Sequence, residues 1–246
     1  MDPRERIDDL NRRGYRLIQR TDRFCFGTDA VLLAWFSALK PGDRVMDLCS
    51  GNGIVPMLMA ARREKDDVTF FGLEIQETEV ELAVRSARLN HCSDRMTFTL
   101  GDVKRAAELF QKQSFDVVTC NPPYVKKGSG ILRPEDPKAM ARHEIGCTLK
   151  DVCKAGTDLL KPSGKFYMVH RPARFREILE YFREGHTEVS RVRFVHPYED
   201  REAALVLVEG IKNASPDLKV EPPLIIYHQD GSMTDSAKAI YGEETG

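Results

Sequence analysis

No apolar run in this 246-residue chain approaches the roughly 18 residues that a membrane span needs; Ile54–Ala61 and Ala203–Val208 are among the longest. The opening residues, MDPRERIDDLNRRGYR, are too charged for a secretory signal. Six cysteines are present, but none form a C-x-x-C pair, so zinc-ribbon and thioredoxin readings lack support. Reduced core thiols in a cytoplasmic protein are the expectation. Excess charge is missing too: 37 Lys and Arg against 38 Asp and Glu leave −1. A globally basic nucleic-acid binder is thereby excluded, although a local basic patch is not. There is no internal repeat and no low-complexity tract. The 41% hydrophobic and 30% charged content excludes disorder, collagen and a disulfide scaffold, and the length suffices for one large domain.

What is there is an alternation of strand-like and helix-like segments. Arg44–Leu48 reads as a short buried strand, and Thr69–Ile75, Met96–Leu100, Phe115–Cys120 and Lys165–His170 read as further strands. Helices are expected over Thr28–Leu39 (capped by Thr28 or Asp29), Gly53 to about Glu64, Thr78–Asn90, Val103–Gln111, Thr148–Leu160 and Pro172–Arg183. Glu188–Val195 and Ala203–Gly210 follow without an intervening helix and should pair antiparallel at a sheet edge. The tail adds an extended Pro222–Tyr227 and a short helix, Thr234–Tyr241. Repeated β-α units predict an α/β fold with a mostly parallel, seven-stranded sheet, helices on both faces and an antiparallel edge strand. Residues 44–211 form the core of a single domain on this reading. Residues 1–43 are an N-terminal extension and helix, and residues 212–246 a tail packed on or near the core.

Ligands on such sheets bind at the carboxyl ends of the strands. The first such loop, Asp47-Leu48-Cys49-Ser50-Gly51-Asn52-Gly53, has glycines that let backbone approach a ligand and turn into a helix N-terminus. Pro56 occupies the third glycine position of a dinucleotide G-x-G-x-x-G, which argues against nicotinamide or flavin binding. Glu74, at the end of the second of these strands, can accept hydrogen bonds from both hydroxyls of a ribose; a surface glutamate before a helix is the plainer alternative. Asp102, after the third, could accept from an adenine amine, and taken alone reads as a helix N-cap. Together Asp47, Gly51, Gly53, Glu74 and Asp102 point to an adenosine-containing ligand without choosing between NAD and S-adenosylmethionine.

The fourth strand chooses. Asn121-Pro122-Pro123-Tyr124 follows it directly. The prolines end the ladder while leaving their carbonyls to accept hydrogen bonds. With the Asn121 amide oxygen, the Pro122 carbonyl would draw on the hydrogens of a conjugated –NH₂ and make its nitrogen a better nucleophile toward an electrophilic methyl. Tyr124 would stack on the plane of the target. A Pro-Pro turn ending a strand is the bland alternative.

The combination D-x-x-x-G-x-G, an acidic second strand end, Gly101-Asp102 and N-P-P-Y resembles the class I S-adenosylmethionine-dependent methyltransferases that modify amino nitrogens. Residues 26–34 (FGTDAVLLA), 141–144 (ARHE), 193–197 (RFVHP) and 200–203 (DREA) resemble more narrowly the bacterial valine-tRNA adenine-N6 methyltransferases, over essentially the whole chain. The resemblance implies S-adenosylmethionine as cofactor, Thr28 near its methionine end, and direct transfer to the N6 of a flipped adenine near a tRNA anticodon. No metal and no strong general base are required, and His143, His170 and His196 are expected to be structural or RNA-contacting. The protein is expected to be a monomer or weak dimer. Cys49 departs from the class, which commonly has glycine there; because backbone contacts would serve at this position, little damage is expected, with crowding of the cofactor as the alternative.

Charge supports an RNA rim. Val125–His143 carries Lys126, Lys127, Arg133, Lys138 and Arg142 for a net +3, and Met1–Arg23 a net +2. Lys126, Lys127, Arg133 and Arg142 are the candidate RNA contacts. Two alternatives stay open: a protein glutamine-N5 methyltransferase, opposed by the short N-terminal segment, and a non-methylating adenosine- or dinucleotide-binding protein.

Overall fold

The computed structural model describes residues 2–22, 27–122 and 147–242. A main sheet contains β3 (Arg44–Leu48), β4 (Thr69–Glu74), β5 (Met96–Leu100), β6 (Phe115–Cys120), β7 (Leu160–His170), β8 (Thr187–His196) and β9 (Leu205–Lys212). Their order across the sheet is β8-β9-β7-β6-β3-β4-β5. All neighbours in it pair parallel except β9, which runs antiparallel to both β7 and β8. The late strands β8 and β9 pair antiparallel on one side of the sheet, as expected, with β9 between β7 and β8. The two short strands β10 (Lys219–Val220) and β11 (Leu224–Ile225) widen the sheet by pairing parallel with β8. A hairpin of β1 (Glu5–Asp9) and β2 (Arg16–Arg20) stands apart from it, where sequence reading placed only an extension.

Helices α1 (Thr28–Phe36), α2 (Ile54–Arg62), α3 (Glu77–Leu89), α4 (Ala106–Leu109), α5 (Leu149–Leu159), α6 (Phe175–Glu184) and α7 (Asp235–Tyr241) complete the described elements. Alternation along β3 shows why both faces are covered: Val45 joins an apolar cluster with α1 and α2, while Met46 and Leu48 join one with α5 and α6. Leu17 of the hairpin and Ile240 of α7 pack into the first cluster. The expected cap of α1 is corrected: Gly27 occupies the N-cap without a side-chain bond, and Asp29 instead accepts from the adjacent Ala30 N–H. By contrast α5 opens on a full capping box between Thr148 and Asp151. The segment read as one helix after β5 is a three-residue 3₁₀ turn, Val103–Arg105, leading into α4.

One buried charge network sets α1 against the sheet. Glu209 on β9 accepts from Ser190 Oγ at 2.9 Å and from Arg191 Nη2 at 2.8 Å, and Lys165 Nζ lies 3.1 Å away. The Arg191 guanidinium lies 3.9 Å from the Phe36 ring centroid and donates to the Phe36 carbonyl at 2.8 Å, closing the C-terminus of α1. Arg191→Ala should lower unfolding stability by about 3 kcal/mol, because Glu209 stays buried without its fork. Arg105→Ala, whose exposed pair with Glu108 is screened, should cost less than about 1 kcal/mol. Urea unfolding of both variants checks the contrast.

Candidate active site

Strand order places the site. The chain runs outward from β3 through β4 to β5, then returns to lay β6 on the other side of β3. The crevice between the carboxyl ends of β3 and β6 is thus the topological switch point of the sheet, where ligands bind on folds of this kind. In register, Asp47 pairs with Thr119 and Leu48 with Cys120. Cys49 and Asn121 therefore leave the sheet from the same rung of neighbouring strands, about 5 Å apart. The glycine loop and the N-P-P-Y segment start side by side.

Local chemistry shapes the glycine loop. Gly51 and Gly53 hold φ of 53° and 81°, the left-handed region that glycine occupies at little cost. A Cβ on Gly53 would come within 2.8 Å of the Phe98 ring of β5, whereas one on Gly51 would meet nothing within 4 Å. Gly53 is thus fixed by packing, and Gly51 faces open space that a ligand can enter. On the same loop the Ser50 hydroxyl is buried and lies beside the Asp47 carboxyl.

Glu74 ends β4 and is buried. Its Oε2 accepts from Gly51 N–H at 2.9 Å, and its Oε1 accepts from the N–H groups of Ile75 and Gln76, both at 2.9 Å. Three of about four lone-pair directions are used, leaving one for a ligand hydroxyl. Glu74 thus has a structural task, tying β4 to the glycine loop, beside the ribose contact expected of it. Two apolar side chains flank it: Ile75, 52% exposed, and Leu100, 49% exposed and paired in register with Glu74. Sequence reading passed over both. Their signal was an apolar residue at each strand end next to a carboxylate, where solvent contact is otherwise costly.

Asp102 is the N-cap of the 3₁₀ turn, its Oδ1 accepting from Lys104 N–H at 2.9 Å, so the plainer of its two readings describes its bonding here. Thr28 begins α1, near the Tyr241 hydroxyl of α7. Asn121 is half-buried and Pro122 buried at the end of β6. Pro123, Tyr124, Lys126, Lys127, Arg133 and Arg142 lie outside the described residues.

Cys49 also adopts a positive φ, 56°, as the usual glycine would. Its side chain packs on the apolar cluster that holds Cys120 and Cys153, beside Cys147. Hydrogen bonding to Cys120 pushes the Cys49 thiol up, and burial pushes that of Cys120 up to about 11. Both are neutral thiols in a core setting, as expected of the cysteines.

Two buried groups titrate far from their ordinary values. Asp47 is 2% exposed on β3; desolvation pushes its carboxyl up to about 7, against the hydrogen bond donated by Thr119. His170, at the end of β7, is held down to about 4 by burial, assisted by the Arg174 charge.

A central parallel sheet in this strand order, with a glycine turn after β3 and a carboxylate closing β4, defines a class I methyltransferase. A family model described as a methyltransferase domain matches residues 39–201, and the chain belongs to that family. The tRNA1(Val) (adenine(37)-N6)-methyltransferase of Porphyromonas gingivalis is 28% identical over 189 residues, covering 74% of this chain and 72% of that protein. Its namesake from Bacteroides thetaiotaomicron is 33% identical over 144 residues, 58% of each chain. Among solved structures, Atu636 of Agrobacterium tumefaciens, described as a predicted O-methyltransferase, matches with a TM-score of 0.70 at 24% identity, covering 89% of this chain and 98% of that one. That last likeness speaks for the fold alone. Among the described residues, no helix is long and apolar enough to cross a membrane.

The two shifted groups oppose each other in pH dependence. Folded Asp47 holds a proton that the unfolded chain has lost, so its contribution falls as pH rises from about 4 to about 7. Folded His170 lacks a proton that the unfolded chain binds, so its contribution rises with pH between about 4 and 6.5. Relative to the parent protein, Asp47→Asn should gain stability across pH 4–7, by up to about 4 kcal/mol. His170→Gln should lose it across pH 4–6.5. Differences in urea unfolding free energy at each pH test both signs; a flat difference for either variant contradicts its assignment.

Proposed function

We propose that the chain transfers a methyl group from S-adenosylmethionine to the exocyclic N6 of an adenine in RNA, with tRNA near the anticodon as substrate. What supports the reading most is the shared rung of Cys49 and Asn121, which sets a ligand-sized glycine loop beside an amide and a proline carbonyl. Residues 1–43 and 212–246 belong on this reading to the same domain as the core. The protein works in the cytoplasm, where its substrate is.

The fit to the cofactor rests on the chain's own groups. Gly51 leaves open space, Glu74 keeps an acceptor direction for a ribose hydroxyl, Ile75 and Leu100 offer apolar flanks for a purine, and Asp102 keeps acceptor capacity for its amine. When bound, S-adenosylmethionine supplies an electrophilic methyl on a cationic sulfur. Asn121 and the Pro122 carbonyl accept the two hydrogens of the adenine amine, localise its lone pair and aim it into the crevice. Tyr124 covers the extruded base, and stacking worth about 1–3 kcal/mol offsets much of the unstacking cost. Lys126, Lys127, Arg133 and Arg142 bind phosphates at the rim.

Asn121→Ala should lower methyl transfer about a hundredfold or more while S-adenosylmethionine affinity by calorimetry stays within about twofold. Glu74→Ala should weaken that affinity about ten- to a hundredfold, the value of a charge-assisted hydrogen bond. The assay is labelled S-adenosylmethionine with unmodified bulk tRNA, followed by nucleoside mass spectrometry for N6-methyladenosine. Label appearing only in a glutamine peptide supplied in parallel would transfer the reading to protein substrates. Parent-like turnover of Asn121→Ala would remove Asn121 from the chemistry.

A further inference from the structure

Thr119 stands out in β6. It is fully buried, and it is the one side chain in the run Val117-Val118-Thr119-Cys120 that carries a hydroxyl. Alternation places it on the face of Val117, against the apolar cluster of α1 and α2. Its Oγ donates to Asp47 Oδ1 at 2.6 Å, between residues paired in register. Packing alone would be served better by two apolar residues here, since a buried carboxylate needs compensating bonds to be tolerated. The bond joins the two strands two residues before each turns into the site: Asp47 before Cys49, and Thr119 before Asn121.

We propose that Thr119 is a positioning residue, which through its hydrogen bond to Asp47 fixes the glycine loop against Asn121. The inference rests on the methyltransferase reading above for its catalytic consequence, but not for its effect on binding. The groups acting on Asp47 are the Thr119 hydroxyl from β6, the Ser50 hydroxyl from the glycine loop, and the Glu74 carboxylate from β4; on β6, Cys120 lies within its field. Burial and Glu74 both favour the neutral acid, and the hydroxyls of Thr119 and Ser50 oppose them, in keeping with a value raised only to near neutrality. Removing the Thr119 donor leaves the acid neutral to higher pH, and a cationic ligand then meets less negative charge.

The test compares Thr119→Val, which keeps the shape and removes the hydroxyl, with Thr119→Ser, which keeps the hydroxyl. Calorimetry of S-adenosylmethionine and of S-adenosylhomocysteine, which lacks the sulfonium charge, is run from pH 5.5 to 8.5. For the parent protein, S-adenosylmethionine affinity should rise through about pH 7, and S-adenosylhomocysteine affinity should change less. Thr119→Val should move the rise upward by about one pH unit, and Thr119→Ser should restore it. In turnover with tRNA, Thr119→Val should lose about tenfold or more in kcat with KM for RNA within about twofold. Identical affinity profiles for the valine variant and the parent would overturn the proposal, as would a serine variant that behaves like valine. A parent protein that binds S-adenosylmethionine with the stated profiles but methylates no RNA would sink the substrate assignment and leave the role of Thr119 in binding supported.

Discussion

The parallel pairing of β3 with β6 is the constraint on which the site depends. Neither strand carries a complete site. β3 delivers the glycine turn, and β6 delivers the amide and the proline carbonyl, after the chain has travelled outward through β4 and β5 and back. Register brings the two ends to one level, and a shift of one residue would turn Asp47 and Thr119 to opposite faces. The hydrogen bond between them is therefore both a consequence of the register and a lock upon it.

The crevice is rich in acceptors, and its carboxylates are restrained in different ways. Glu74 is held by three backbone N–H groups, that of Gly51 in the glycine loop and those of Ile75 and Gln76 just before α3. Asp47 has mainly the hydroxyl of Thr119 and sits deeper, so it lies on the verge of protonation near neutral pH. One acid is a fastening for the loop. The other is a buried acid whose charged form is favoured by donated side-chain hydrogen bonds, that of Thr119 first among them.

Much of the architecture was legible from residue pattern. Arg44–Leu48 and Phe115–Cys120 run as expected, because their mostly buried residues read as hydrophobic segments, and the half-exposed Met96–Leu100 at the end of the sheet also matches its expected bounds. The β1–β2 hairpin was not legible: its residues are largely charged, and its pairing shows only where Leu17 is buried against the core. The place of β9 between β7 and β8 was equally hidden, since antiparallel pairing of β8 with β9 is compatible with either strand at the edge. Within the site, Asp47, Gly51, Gly53 and Glu74 announced themselves by residue type and spacing. Thr119 did not, because a threonine in a strand is ordinary until its cross-strand partner is known. Asp102 was ambiguous from the start, and its bond to Lys104 N–H shows the capping role that its position after β5 suggested.

The central claim is that the loop after β3 and Asn121 after β6 face one ligand. A crystal structure with S-adenosylhomocysteine bound tests it most directly. The account predicts a ribose hydroxyl at Glu74, the purine between Ile75 and Leu100, and the sulfur opening toward Asn121, close enough for one methyl group and one nitrogen to fill the gap. A ligand seated away from the β3–β6 crevice, or a sulfur with Asn121 beyond a side chain's reach, would contradict it.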